Sequence, residues 1–359
     1  MINGKLLGRR VVMGDTVWLS SSGSGLFFEY KNAKSIRILL LGDETVSKEE
    51  CRFNRPRFRI ELDDILFEQG TLSESEQRFY LPLSPLGSSG RVSILKLSEA
   101  SQSTLGVRIF ADGEILPVPD KQKKIEFIGD SITCGYSVDG NFSQVFSTST
   151  ENVTKTYAYL AAKALDADAC FTCFSGFGIH SGYTGSGERN ASILVPDWYE
   201  KVGFCDHIIP GHRRVNEYDW DFSLFVPDVI VINLGTNDIS YCGNDPVRQT
   251  CFQEDYISFL GTVRRRNPEA WILCTLGLMG TTLNGRVKEA VDLYKKETGD
   301  PRISFFPLQD QLSSDGYVPD YHPTALTHEK AAEKLIPVLR ELIILNEVSI
   351  NSVQTLRHQ

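Results

Sequence analysis

No stretch of the 359-residue chain approaches the ~18 consecutive apolar residues that a membrane-spanning helix needs, so an integral helical membrane protein is excluded. No run of Lys or Arg is long enough to track a phosphate backbone, and 46 acidic against 37 basic side chains leave a net charge of -9. Nucleic acid is therefore not an expected partner. The Met1-Ile-Asn-Gly start lacks the charged, apolar and cleavable order of a signal peptide. That predicts a cytoplasmic protein, or a secreted one if a leader has been removed. The eight cysteines show no paired framework in a chain long enough to bury its own core, and reduced thiols are expected. Cys170-Phe-Thr-Cys173 has the spacing of a zinc or redox pair, but it lies in an apolar, strand-like run with no second pair. Internal repeats and low-complexity segments are also missing.

What is present divides the chain in two. Up to about Pro119, short period-2 segments are broken by Gly, Ser and Pro: Gly25 to Tyr30, Ser35 to Leu41, Arg57 to Leu62, Gln77 to Leu81, Arg91 to Leu97 and Gly106 to Phe110. This rhythm predicts an all-β sandwich or jelly roll over 1–119. Within it, Arg55, Arg57 and Arg59 alternate along one strand and read as a solvated face. After the Pro-punctuated, charged segment Leu116 to Lys124, apolar strands at 124–128, 169–174, 228–234, 270–276 and 302–305 alternate with helices near 154–165, 246–266, 285–297 and 324–345. Alternation of that kind predicts a parallel sheet wrapped by helices over 120–359.

Four short stretches of the second half carry chemistry. In Ile125-Glu-Phe-Ile-Gly-Asp-Ser-Ile-Thr, an apolar strand hands over to a helix at Ser131, where a hydroxyl projects from the carboxyl edge of the sheet beside free backbone N–H groups. Taken alone, Gly-Asp-Ser is also what an N-capped turn looks like. In Cys173-Phe-Ser-Gly-Phe-Gly178, small residues at a strand end allow close approach of the main chain, with Gly176 the preferred donor and Gly178 its competitor. In Asp228 to Asp238, a buried strand ends in Leu-Gly-Thr-Asn-Asp, and Asn237 offers an amide that can donate to an oxyanion. In Asp320-Tyr-His-Pro-Thr324, Pro323 fixes a loop presenting His322, a general base for Ser131.

In this order, Gly-Asp-Ser-Ile-Thr, Ser-Gly-Phe-Gly, Gly-Thr-Asn-Asp and His-Pro resemble the blocks of the SGNH, or GDSL-like, hydrolase superfamily over about residues 122–345. With a β-sandwich ahead of them, the early Leu7-Gly-Arg9, and Trp220-Asp-Phe leading into Pro227-Asp-Val-Ile-Val, the chain is further similar to carbohydrate esterase family two. The resemblance implies an α/β SGNH-hydrolase fold, with a flavodoxin-like parallel sheet and flanking helices, preceded by a jelly roll. It also implies a serine esterase that removes O-acetyl groups from xylo- or manno-type carbohydrates, without metal or cofactor. The implied oxyanion hole is the N–H of Ser131, the N–H of Gly176 and the amide of Asn237.

One departure stands out. The superfamily's acid lies three residues before the histidine, where this chain has Pro319, and Asp320 lies two before. The expected site is thus Ser131 and His322, with Asp320, Asp315 or a backbone carbonyl as third member. Tyr241 and Tyr321 are the favoured sugar-stacking residues among Tyr136, Trp198, Trp220, Tyr241 and Tyr321. Two other readings remain: a lipase or thioesterase on the same fold, or a non-catalytic carbohydrate-binding protein on an esterase scaffold. An imidazole base at its ordinary pKa of ~6.5 would place the acid limb of activity there.

Overall fold

The computed structural model describes residues 3–357, with side chains described through Asn346. Residues 1–2 and 358–359 of the two expected segments lie outside it. The first eleven strands are antiparallel: β1 (Lys5–Leu7), β2 (Arg10–Met13), β3 (Thr16–Leu19), β4 (Gly25–Ala33), β5 (Ile36–Gly42), β6 (Arg57–Leu62), β7 (Ile65–Thr71), β8 (Glu76–Tyr80), β9 (Ser88–Lys96), β10 (Leu105–Ala111) and β11 (Glu114–Pro117). One sheet runs β1-β4-β9-β6-β7 with β11 on β4, and the other β2-β3-β10-β5-β8. Their inward residues form one core, with Leu26, Phe28, Phe58, Ile60 and Ile94 from the first sheet against Val17, Leu19, Ile38, Leu40 and Val107 from the second. This is the interleaving of a β-sandwich. All six segments expected from period-2 patterning lie on strands, whereas β1, β2, β3, β7 and β11 were not anticipated. β7 was hidden because it pairs with β6 through a tight turn at Asp63 and Asp64, both at positive φ, and none of its own side chains is fully buried.

The second half holds a five-stranded parallel sheet, β12 (Lys123–Gly129), β13 (Ala167–Cys173), β14 (Val229–Asn233), β15 (Trp271–Thr275) and β16 (Ile303–Phe305), in the order β13-β12-β14-β15-β16. Helices α1 (Ser131–Cys134), α2 (Tyr157–Ala164), α3 (Val195–Trp198), α4 (Ile239–Cys242), α5 (Pro246–Arg266), α6 (Asn284–Thr298) and α7 (Ala325–Arg357) cover its faces and edges. The central strand β14 is buried throughout, Val229 to Asn233 without exception, as a parallel sheet covered on both faces requires. α5 shows its end signals plainly: the Asp245 carboxylate accepts from the N–H of Val247 at 2.9 Å, Pro246 occupies the first turn, and three arginines close the last. The sheet is SGNH-like, and its strand order reverses between β12 and β14. In open α/β sheets that switch point is where loops diverge and leave a crevice at the carboxyl edge. Ser131 follows β12 and Asn237 follows β14, so they flank it.

Cys170 and Cys173 both lie on β13, each 1% exposed, and belong to different cores. Residues three apart on a strand face opposite sides, so this spacing cannot converge on one ion.

The sandwich is clamped to the parallel sheet by buried ions. Arg9 donates through Nη1 to the carbonyls of Tyr199 and Lys201, pairs through Nη2 with Glu126 at 3.1 Å, and lies over the ring of Tyr199 at 5.1 Å. Lys5 pairs with Asp168 at 2.6 Å. Arg57, expected on a solvated face, is buried instead and reaches Asp139 at 2.8 Å and the Glu151 carbonyl at 3.0 Å. Sequence alternation marked the strand face but not the second domain covering it. Removing one partner of a buried pair typically costs about 3–5 kcal/mol. Arg9→Leu is therefore expected to lower unfolding stability by about that amount in urea titration, and a loss below about 1 kcal/mol would contradict the clamp.

Candidate active site

Ser131 begins α1 directly after β12. Its neighbours show why the turn is so tight: a Cβ on Gly129 would lie 2.1 Å from Oγ1 of Thr133, so only glycine fits there. The Asp130 carboxylate accepts the Ile132 N–H at 3.0 Å and caps the turn. The Ser131 N–H has no protein acceptor among the described residues.

His322 comes from the loop between β16 and α7. Its Nε2 lies 2.8 Å from Ser131 Oγ, and its Nδ1 lies 3.1 Å from the carbonyl oxygen of Pro319. A carbonyl can only accept, so Nδ1 carries the proton and Nε2 presents its lone pair to the hydroxyl. The loop makes this possible through two consecutive left-handed residues, Asp320 at φ 54° and Tyr321 at φ 59°. They turn the chain back so that the Pro319 carbonyl accepts from both the ring and the backbone N–H of His322. A positive φ at tyrosine is costly, and such strain persists only where surrounding structure fixes it.

The same turn carries the Asp320 side chain away from the imidazole. Its Oδ2 accepts the Tyr136 hydroxyl at 2.6 Å, and the Tyr136 ring stacks on His322 with centroids 4.1 Å apart. Asp320, the acid expected on Nδ1, thus bonds Tyr136 instead and acts on the imidazole through its charge and through that ring. Asp315 is further removed, paired with Lys330 at 2.6 Å. Of the three candidates for third member, the structure places the backbone carbonyl on Nδ1. Burial, followed by this hydrogen bond, pushes the Tyr136 hydroxyl well above its usual range, which keeps its proton on the ring oxygen.

Asn237 follows β14, and its Nδ2 donates to the Phe177 carbonyl at 2.8 Å and lies 3.3 Å from Asp130 Oδ2. It therefore bridges the segments of the serine and of Gly176. The second contact is long and can be given up to an incoming oxygen. Burial, reinforced by the Asp238 carboxylate, pushes Asp130 up to about 7. Asp238 collects the N–H groups of Ile179, His180 and Ser181 and so fixes the loop after β13.

Between the two candidate glycines, the geometry discriminates. Gly178 donates to the Ile193 carbonyl at 3.3 Å, and a Cβ there would lie 1.9 Å from the Ser181 carbonyl. Gly176, at φ 83°, donates to no protein acceptor among the described residues and is open on its Cα side.

The aromatic candidates separate as well. Trp220 is buried, and Trp198 packs against Phe204. Tyr241 is half-buried under the Arg248 guanidinium at 4.3 Å. Tyr321 is 62% exposed and forms an open cluster with Phe142, 50% exposed, at 5.0 Å and Tyr317 at 5.5 Å. Phe142 and Tyr317 were not anticipated, since nothing in their local sequence ties them to the histidine loop.

The GDSL-like lipase/acylhydrolase family profile matches residues 125–335. The chain belongs to that family. Over 296 residues it is 30% identical to an acetylxylan esterase / glucomannan deacetylase of Cellvibrio japonicus, covering 81% of this chain and 75% of that one. Over 233 residues, 63% of this chain, it is 37% identical to the cellulase/esterase CelE of Acetivibrio thermocellus, of whose length it spans 26%. Similar solved structures include the acetyl xylan esterase Est2A of Butyrivibrio proteoclasticus, at 25% identity, TM-score 0.80 and 94% coverage of both chains. A family two carbohydrate esterase from Clostridium thermocellum, solved with cellohexaose, matches at 28% identity and TM-score 0.78 over 94% of this chain and 98% of that one. The matched segment contains Ser131, Gly176, Asn237 and His322.

Two outcomes follow from the geometry. Burial lowers the His322 pKa to about 4, with the Pro319 carbonyl partly offsetting it. A base must be neutral, so activity is expected to persist as pH falls through 6.5 and to drop only near 4. An acid limb at 6.5 in kcat/KM would contradict this. Replacing the orienting carboxylate of a full triad costs about 10⁴-fold. Asp320→Asn, which can still accept from Tyr136, is expected to keep kcat within about fivefold of wild type, and a loss near 10⁴-fold would put Asp320 on Nδ1 after all.

Proposed function

We propose that the protein is a serine esterase that removes acetyl groups from carbohydrates through an acetyl-Ser131 intermediate. The observation that carries this reading is the 2.8 Å approach of His322 Nε2 to Ser131 Oγ at the sheet's switch point. Nε2 takes the hydroxyl proton as Oγ attacks the acetyl carbonyl carbon, and the carbonyl oxygen becomes an oxyanion. The N–H groups of Ser131 and Gly176 and the Asn237 amide receive that charge. Collapse breaks the ester C–O bond, and Nε2 returns the proton to the departing sugar oxygen. Water, deprotonated by the same nitrogen, then attacks the acetyl carbon, the bond from that carbon to Ser131 Oγ breaks, Nε2 returns the proton to Oγ, and acetate leaves. The Pro319 carbonyl accepts from Nδ1 of the transient imidazolium and no carboxylate is bonded there, so the machinery is a dyad, with the Asp320 charge acting from a distance.

The carbohydrate part of the proposal rests on two supports. The relatives described above are named for acetylxylan and glucomannan deacetylation, and one structure was solved with cellohexaose. The open rings of Phe142, Tyr317 and Tyr321 beside the histidine loop also offer the flat apolar faces on which sugars stack, with Tyr321 the substrate-binding residue expected from sequence. Tyr241, four residues after Asn237 and under the Arg248 guanidinium, is the second stacking candidate.

The test is acetate release from acetylated xylo- and manno-oligosaccharides, run beside aryl acetate, butyrate and octanoate esters, for wild type, Ser131→Ala and Asn237→Ala. Wild type is expected to release acetate from the sugars and to lose activity steeply on longer acyl chains, with Ser131→Ala inactive. Loss of one oxyanion donor typically costs about 10²- to 10³-fold in kcat, and Asn237→Ala should fall in that range with little change in KM. A preference for octanoate would instead favour a lipase or thioesterase. Glycan binding without hydrolysis would favour a binding scaffold.

A further inference from the structure

Glu99 belongs to the β-sandwich by sequence, three residues beyond β9, yet it is fully buried against the catalytic half. Its Oε2 accepts the Ser175 N–H at 2.6 Å, the residue immediately before Gly176. The same oxygen lies 3.5 Å from the Cys134 thiol, in the short helix that begins with Ser131. Glu99 is itself held from three directions: its N–H donates to Glu151 Oε2 at 3.2 Å, its carbonyl accepts from the buried Lys96 ammonium at 2.8 Å, and its Oε1 accepts from Gln102 at 3.2 Å. Gln102 is in turn tied to Asn54. Burial first, then the Glu99 charge, push the Glu151 carboxyl well above the usual range, so that the two acids do not repel as a pair of anions beside one ammonium.

We infer that Glu99 is a positioning residue through which the β-sandwich sets the oxyanion hole: by holding the Ser175 N–H it fixes the peptide that aims the Gly176 N–H at the reacting carbonyl. Among the described residues, the Ser175 N–H has no other acceptor, and Gly176 at φ 83° has no side-chain packing of its own to hold it. The bond is short and directional, so the reach of the oxygen sets the peptide, and the loop is registered by it on one side and by the Asp238 carboxylate on the other. The inference rests on the esterase reading given above, since Gly176 matters only if an oxyanion forms.

Three substitutions separate position from charge. Glu99→Asp keeps the charge but withdraws the oxygen by one methylene, Glu99→Gln keeps an oxygen at the same reach without the charge, and Glu99→Ala removes both. A misplacement of about 1 Å at a reacting group can cost about 10²-fold. For aryl acetate hydrolysis, kcat is expected to fall about 10- to 100-fold in Glu99→Asp and Glu99→Ala at nearly unchanged KM, while Glu99→Gln stays within about threefold of wild type. A role in fold stability or charge balance alone would make Asp the milder change and Gln the harsher one, and that order would overturn the inference. Hydrogen exchange of the 174–177 segment supplies a readout independent of turnover. Faster exchange there in Glu99→Asp, with the thermal midpoint little changed, supports the hold, and unaltered exchange refutes it. Absence of Ser131-dependent hydrolysis in wild type would sink the esterase reading, and the exchange experiment would still decide whether Glu99 holds the loop.

Discussion

A serine hydroxyl and an imidazole nitrogen separated by 191 residues stand 2.8 Å apart, and most of the catalytic half can be understood as the means of keeping them there. The serine side is secured by regular structure: β12 is an interior strand, paired on both sides, and its last residue, Gly129, leaves room for the turn that aims Ser131 outward. The histidine side is secured by a strained loop, in which two left-handed residues return the Pro319 carbonyl to the imidazole. A carbonyl fixes the tautomer as well as a carboxylate does, but it brings no full charge into the site. With burial also lowering its pKa, the imidazole is held as a neutral base over a wide pH range.

The two halves are joined by charged side chains that have left water. Arg9, Lys5 and Arg57 each cross the boundary to a carboxylate, and each would be costly if left alone. Such contacts do not glue the halves together as effectively as apolar burial would. They do specify one relative orientation, because an ion pair with several hydrogen bonds satisfies its geometry in only one place. That specificity matters where Glu99 reaches from the sandwich to the loop beside Gly176.

The parts of the molecule legible in sequence are those written in local patterns. Apolar strands followed by Gly-Asp-Ser or Gly-Thr-Asn announce both the parallel sheet and the residues at its edge, since strand, turn and functional side chain are contiguous. α5 was legible to the residue because Asp245, Pro246 and the terminal arginines mark both ends. What stayed hidden depends on partners distant in sequence. The group on His322 Nδ1 is main chain, which has no residue type to recognise, and Asp320 is turned aside by backbone angles that composition does not encode. Phe142 reaches Tyr321 across nearly the whole catalytic half. Arg57 and Glu99 look like surface charges of a β-sandwich until the second domain covers them.

Covalent catalysis at Ser131 is read most directly in the intact mass of enzyme quenched during turnover of an aryl acetate, followed by peptide mapping. An acetyl adduct is expected on the peptide containing Ser131, forming and decaying at the rate of turnover and missing in Ser131→Ala. Turnover without any such adduct, or an adduct on another residue, would contradict it.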